Sequence, residues 1–468
     1  MVSTANRTSA NSPKSLKSII PHDSPNLWLS GKLLTRTELA SYSSQEMTQL
    51  LQLHFLKKVS SIEKNPLLCK RCGADKSFHF GHFHHAGCEK ECIYCRNCIQ
   101  MGRVIDCEPL YAGSSLVAWP IHEKPCKWEG ELTSGQQQAA GKIIETIETK
   151  RELLIWAVCG AGKTEMLFPG LARALELGLR ICIATPRTDV VKELLPRLRK
   201  AFPGITIQGL YGDSDEKQGD SQLLVSTTHQ LFRFSSAFDV MVIDEIDAFP
   251  YHNDDSLQYA AKRASKPESS RIYLTATPRK KEKKLIRRKK LPAVFIPSRF
   301  HGFPLPVPIF RLIPMLRKNI QNGRLPKSLT EKIRRQQQES RQLLMFCSTI
   351  EQASQLKAIL GREFETTSVH AEDPDRAGKV QDFRDKKLRL LITTTILERG
   401  VTFPAVDVYV IDAGHHVFDE AALVQIAGRA GRSPVDPEGD VIFYHIGKTN
   451  AMIAAREAVI QMNKRANR

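Results

Sequence analysis

A glycine-rich run, Ala157-Val158-Cys159-Gly160-Ala161-Gly162-Lys163-Thr164, constrains this chain more than any other feature. It follows an apolar stretch at 153–158 that reads as a buried strand, and it opens an amphipathic helical stretch. A strand, a tight glycine turn and a helix, in that order, make a phosphate cradle. The glycines let the backbone curl so that amides converge on phosphate oxygens, and the helix start adds the positive end of its dipole. Gly160, Ala161 and Gly162 would supply those amides. Lys163 would neutralise the β- and γ-phosphates of ATP, and the Thr164 hydroxyl would hold Mg²⁺. Ala157 stands where the strict pattern has its first glycine.

Such a cradle belongs to a parallel sheet covered by helices, and the surrounding pattern agrees. Apolar runs at 180–185, 223–227, 240–244 and 271–275 alternate with helical stretches such as 188–200. Continuous apolar strands imply burial on both faces. A Lys/Arg-dense stretch at 279–290 and a Pro-rich stretch at 292–314 then break the pattern and read as a linker. A second alternating block follows, with strands at 342–347, 388–393, 406–411 and 440–445 and helices at 351–360 and 420–427. The acidic run Asp244-Glu245-Ile246-Asp247 ends an apolar strand of the first block, where ligands bind in open α/β sheets. Asp244 would hold Mg²⁺ through its water shell, and Glu245 would orient the attacking water.

The chain has 468 residues, enough for two or three well-buried domains, and a formal net charge of +18. That charge predicts attraction to phosphate backbones or anionic lipid headgroups. No apolar run reaches bilayer-spanning length, and the N-terminus lacks a basic stretch followed by an apolar core, so a cytoplasmic protein is expected. Six of the eleven cysteines fall between Cys69 and Cys98, which reads as metal binding and not as a disulfide framework. Residues 39–58 carry helical periodicity behind a polar tail.

The order of motifs resembles that of the helicase superfamily that includes DEAD-box proteins. Leu132-Thr133 with Gln136 resembles its adenine-reading segment. Thr185-Pro186-Arg187 and Thr227-Thr228-His229 resemble motifs that contact a nucleic-acid strand, and Thr275-Ala276-Thr277 resembles the motif that couples hydrolysis to movement. In the second block Phe346-Cys347-Ser348-Thr349 and the run 393–401, with Thr394, resemble further strand contacts. Gln425-Ile426-Ala427-Gly428-Arg429-Ala430-Gly431-Arg432 resembles the last motif, in which Gln425 touches nucleotide and Arg429 and Arg432 reach the γ-phosphate. Placed three apart on a helix, those arginines would share a face. Hydroxyls and amides at loop tips bind phosphate without reading bases. The resemblance implies two RecA-like parallel-sheet domains in tandem, at 111–290 and 291–468, with Thr275 and Thr277 as coupling residues. Asp-Glu-Ile-Asp and Thr-Ala-Thr, in place of Asp-Glu-Ala-Asp and Ser-Ala-Thr, suit DNA motors related to the replication-restart helicase.

In front of the motor lies a Cys/His segment at 66–110, after a tail and helical segment at 1–65. Cys69-x2-Cys72 and Cys95-x2-Cys98 are two knuckles whose thiolates would enclose one Zn²⁺ tetrahedrally. Cys92-x2-Cys95 is an equally good local pair, and Cys88, His79, His82, His84 and His85 are further donors. The whole chain resembles the ComFA-type late-competence ATPases, in which a four-cysteine module precedes a helicase-like core. Cys95-Arg96-Asn97-Cys98-Ile99 with Met101-Gly102-Arg103 is similar to that family's second knuckle, and this resemblance selects Cys95 and Cys98. It implies an ATP-dependent single-stranded DNA translocase at the inner face of the cytoplasmic membrane. Its implied partners are a membrane DNA channel, a phosphoribosyltransferase-like companion and a recombination mediator. A replication-restart or repair helicase is the rival enzyme, and a zinc-containing DNA-binding adaptor switched by ATP is the rival of another class.

Overall fold

Runs of Leu, Ile and Val without interruption dictate two sheets buried on both faces. The computed structural model describes residues 28–114, 117–212, 214–216, 219–400 and 403–466. Residues 1–27 of the N-terminal segment and Val401 lie outside the described residues. The first sheet has seven parallel strands in the order Ile207–Leu210, Leu223–Thr227, Ile181–Thr185, Phe238–Ile243, Ser265–Thr275, Glu152–Ala157, Ala293–Ile296. Helices Ser134–Thr149, Lys163–Glu176 and Thr188–Ala201 cover one face through Ile143, Leu167, Phe168 and Val191.

The second sheet has six parallel strands, ordered Ile309–Leu312, Val441–His445, Val406–Val410, Gln342–Phe346, Leu390–Thr393, Thr366–Val369. Its two faces carry separate cores, around Phe346, Phe383 and Leu423 on one side and Leu329, Leu356 and Tyr409 on the other. These are two parallel-sheet domains in tandem, the RecA-like arrangement expected from the motifs. The C-terminal helix Asn450–Ala466 straps them together. Met452 and Ala455 sit in the second domain's core, whereas Val459 sits in the first domain's and Met462 packs against it.

Three sequence expectations need correction. The basic stretch 279–290 is not an irregular linker: most of it is the helix Lys280–Arg287, none of whose side chains is buried. The first domain does not end at 290, because Ala293–Ile296 pairs in parallel with Glu152–Ala157 and forms its edge strand. Residues 39–58 are not one helix. Ser43 and Glu46 cap the helix Ser44–Gln52 reciprocally, His54 turns left-handed at φ 59°, and Leu56–Val59 continues as a strand.

That strand joins Leu110–Gly113 and Leu33–Leu34 in an antiparallel sheet, so the described part of the N-terminal tail and the cysteine segment form one interlaced module. Two hairpins, Ile62–Lys64 with Leu67–Cys69 and Phe80–His85 with Lys90–Cys95, project from it. The module covers the second face of the first sheet. Ile62, Phe80 and Val104 share a core there with Leu224, Met241 and Leu257.

Candidate functional site

The cradle forms where the pattern placed it. Strand Glu152–Ala157 runs into a loop in which Gly160 and Gly162 take φ of 81° and 68°, and helix Lys163–Glu176 starts at once. A side chain at Gly162 would meet strain and crowding together, because its Cβ would lie 2.4 Å from Gln136 Nε2. Gln136 itself is buried. Its Oε1 accepts from Thr133 N at 2.8 Å, and its Nε2 donates to the Ala161 carbonyl at 2.8 Å. Gln136 therefore latches the phosphate loop.

One cleft of about 630 Å³ is lined by both domains. From the first come Gln136, residues 159–165, Asp244 and Glu245. From the second come Gly400, Gln425, Arg429 and Arg432. Desolvation pushes the Asp244 carboxyl up to about 6, helped by Glu245 and Asp247 and opposed by Lys163. Glu245 holds a left-handed φ of 55°, and its buried Oε2 has no hydrogen-bond partner among the described residues. Burial and the neighbouring Arg432 charge push Arg429 well down from its ordinary value. Carboxylates, a lysine, a threonine and two arginines around one cavity fit a magnesium nucleotide.

The arginines do not share a helix face. Helix Glu420–Ala427 ends before Gly428, and Arg429 and Arg432 follow in a turn shaped by Gly431 at φ 63°. Arg429 Nε donates to the Glu398 carbonyl at 3.0 Å, and Arg432 Nε to the Gly428 carbonyl at 3.0 Å. The buried Arg299, from the segment joining the domains, holds this turn by donating to the Gly431 carbonyl and, at 2.8 Å, to that of Ala430. Cys159 of the cradle donates to Gln425 Oε1 at 2.9 Å, directly across the domain boundary.

Asp247 is the hub that sequence reasoning missed. It is buried, and it accepts from Thr275 Oγ1 at 2.6 Å and from Thr277 Oγ1. Arg399 of the second domain, also buried, donates to the same carboxylate at 2.6 Å and stands 3.8 Å from Glu245. Burial alone would raise the Asp247 pKa, but Arg399 and the two hydroxyls hold it below the usual carboxylate range. Arg279 adds a second bridge, donating to the Asp247 carbonyl at 2.9 Å and to Asp419 at 2.6 Å. The signal was present in Asp-Glu-Ile-Asp and Leu-Glu-Arg-Gly, but nothing in either motif alone says that they meet.

The expected strand-contact residues all sit at the C-terminal ends of parallel strands. Thr185 ends Ile181–Thr185, and Thr228, Ser348 and Thr394 follow Leu223–Thr227, close after Gln342–Phe346, and Leu390–Thr393. Thr185, Pro186 and Thr228 are buried, and the Thr185 and Thr228 hydroxyls have no hydrogen-bond partner among the described residues. Arg187 reaches across to the Ile396 carbonyl. Here it ties the two domains.

In the N-terminal module Cys69, Cys72, Cys95 and Cys98 converge, all buried, with their sulfurs within 4.8 Å of one another. Cys69 to Cys98 measures 3.8 Å and Cys72 to Cys95 3.4 Å. Four thiolates around Zn²⁺ at tetrahedral geometry lie ~3.8 Å apart, so the donor set fits that ion. The rival pair Cys92/Cys95 does not meet. Both residues lie on strand Lys90–Cys95, where positions three apart face opposite sides. No helix among the described residues is long and apolar enough to cross a membrane.

Comparison with known proteins places this architecture. Residues 22–112 match the family model "Competence protein ComFA N-terminal domain", 129–280 "Type III restriction enzyme, res subunit", and 324–434 "Helicase conserved C-terminal domain". The chain is 46% identical to a competence protein ComFA of Bacillus subtilis over 94% of its own length and 95% of the relative's. It is 37% identical to a competence protein ComFA of Streptococcus pneumoniae, covering 94% of itself and 99% of the relative. Among solved structures, S. cerevisiae Dbp5 bound to RNA and ADP BeF3 is similar with a TM-score of 0.52 at 18% identity, over 71% of this chain and 91% of that one. Those full-length matches, a matched N-terminal model and two helicase domains make the chain a member of the ComFA family, a competence-associated helicase-like ATPase.

Proposed function

We propose that this ATPase is a single-stranded DNA translocase that drives transforming DNA across the cytoplasmic membrane during natural competence. One observation carries the reading: Lys163 and Arg429/Arg432, from different domains, line the same cleft. ATP held there is gripped from both sides. Lys163 and the cradle amides bind its phosphates, Gln136 and Gln425 flank it, and Glu245 orients the attacking water. Mg²⁺, when bound, offsets phosphate charge, and Asp244 and Thr164 would hold it. Arg429 and Arg432 stabilise charge on the transferring γ-phosphoryl group, a contribution worth roughly a thousandfold or more in rate.

Hydrolysis removes the group the two arginines hold. The grip loosens and the domains part. Arg399 then leaves Asp247, whose carboxylate keeps only the Thr275 and Thr277 hydroxyls. Thr185, Pro186, Arg187 and Thr228 shift relative to Ser348 and Thr394, and a strand held by both sets is passed along. Contacts to phosphate give no base specificity. Zinc on Cys69, Cys72, Cys95 and Cys98 would staple the front module. The exposed side of the basic helix Lys280–Arg287, which packs on the first domain through Leu285 and Ile286, suits DNA or the anionic inner leaflet, and so peripheral attachment beside the DNA channel and other competence proteins.

The test is a stopped-flow assay on end-labelled single strands of graded length. Translocation gives an arrival time that grows with length and vanishes in Lys163→Ala. An arrival time independent of length, with ATP turnover intact, would overturn the reading.

A further inference from the structure

The module holds a second cluster of metal donors. His85, Cys88, Cys92 and Cys107 bring one donor atom each to within 4.8 Å of the others. His85 Nδ1 lies 3.4 Å from the Cys88 sulfur and 3.4 Å from that of Cys107, and the Cys88 and Cys92 sulfurs are 3.4 Å apart. Sulfur and nitrogen ligands around a tetrahedral zinc stand ~3.5–3.8 Å apart, so these separations need little adjustment.

The backbone explains why the donors meet. In the hairpin, Phe83 pairs with Cys92 and Phe80 with Cys95. His85 shares the Phe83 side of its strand, so His85 and Cys92 lie on one face and Cys95 on the other. The hairpin is a wall between two clusters. Cys88 sits in its turn, where the amides of Cys88 and Glu89 both donate to the His85 carbonyl, at 3.2 and 2.8 Å. Cys107 arrives from a segment that runs beside the strand. Ile105 bridges Tyr94, and Asp106 N donates to the Ile93 carbonyl at 3.0 Å, which sets Cys107 next to Cys92. With Nδ1 turned to the sulfurs, the other ring nitrogen of His85 stands 4.0 Å from the Glu108 carboxylate. That is beyond hydrogen-bond length, but it is the side on which a ligating histidine usually finds an orienting carboxylate.

We infer that His85, Cys88, Cys92 and Cys107 form a second, three-cysteine one-histidine zinc site, so that the chain carries two zinc ions and not the one expected from its knuckles. The second ion fastens the hairpin tip to the segment entering strand Leu110–Gly113. Cys107 is exposed, whereas all four donors of the first site are buried. The second ion is therefore the one that a chelator removes first.

Elemental analysis of the untagged full-length protein, purified under reducing conditions, tests this. Two zinc ions per chain are expected, with release to a chelator in two phases and one ion left in Cys107→Ser. X-ray absorption at the zinc edge on the wild type needs no variant, and a nitrogen ligand beside sulfur is expected in its first shell. One zinc per chain with an all-sulfur shell, or a disulfide among Cys88, Cys92 and Cys107 in the reduced preparation, would overturn the second site.

Discussion

On one face of the first sheet, Leu224, Met241 and Leu257 share a core with Ile62, Phe80 and the buried cysteines of the module, whereas across the nucleotide cleft the same domain meets the second through charge. The module's seam is also fixed by arginines that donate to carbonyls. Arg71 reaches Phe232 O at 3.3 Å and grips the Glu38 carboxylate, and Arg263 reaches Phe232 O at 2.8 Å and Lys70 O at 3.3 Å. Across the cleft the ties are Arg399 to Asp247, Arg279 to Asp419, Arg376 to Asp189 and Arg187 to the Ile396 carbonyl. Apolar stabilisation grows with the area buried and has no alternative partner in water, so the first seam stays shut. Ion pairs can exchange one partner for phosphate or water, so the cleft side of the second seam can open and close while the apolar contacts of helix Asn450–Ala466 keep the two domains strapped. On the proposed mechanism the module therefore rides with the first domain while the second domain moves.

The sharpest way to break this contrast is to remove the arginines that face the nucleotide. Arg429→Ala with Arg432→Ala should lower kcat by about a thousandfold, roughly 4 kcal/mol, with nucleotide still bound by the cradle. Steady-state turnover and fluorescent-nucleotide binding check it. Next comes Arg399→Ala, which leaves Asp247 buried beside two hydroxyls only. Stranding a buried charge costs about 3 kcal/mol against the closed arrangement. Small-angle scattering should show a larger radius of gyration, with hydrolysis no longer stimulated by DNA.

The opposite seam responds differently. Leu257→Ala empties a site in the core shared with the module and should destabilise by about 2–4 kcal/mol, read as a lower melting temperature. DNA-stimulated turnover at a permissive temperature should stay within a few-fold of wild type, because no residue of the cleft is touched. The smallest effect is expected for Lys283→Ala. Its 3.4 Å pair with Glu420 crosses the domain boundary, but the side chains are 36% and 42% exposed. Screening leaves such a pair less than about 0.5 kcal/mol, so neither melting nor turnover should move measurably.

Much of the cleft was legible because local chemistry forces it. A strand, two glycines and Gly-Lys-Thr specify a cradle by backbone geometry alone, and an acidic pair at the end of an apolar strand lands on the same sheet edge. What was not legible depends on contacts between distant residues. Arg399 and Asp247 touch, but they lie 152 positions apart in the chain and in different domains, and neither motif names the other. The sequence placed Arg429 and Arg432 on a helix, but Gly428 and Gly431 divert the chain into a turn. Ala293–Ile296 looked like linker because Pro292 precedes it, although an edge strand tolerates proline at its start. The zinc knuckles were legible only as pairs. Strand parity, visible once Lys90–Cys95 is extended, separates Cys92 from Cys95 and sends them to different clusters.

The most direct measurement is steady-state ATP hydrolysis, with and without single-stranded DNA, by wild type and by the Arg429→Ala/Arg432→Ala protein. Wild type should turn over faster with DNA, and the variant should bind nucleotide yet hydrolyse almost none in either condition. Hydrolysis by the variant at the wild-type rate would mean that the first domain works alone and that no nucleotide is shared across the cleft.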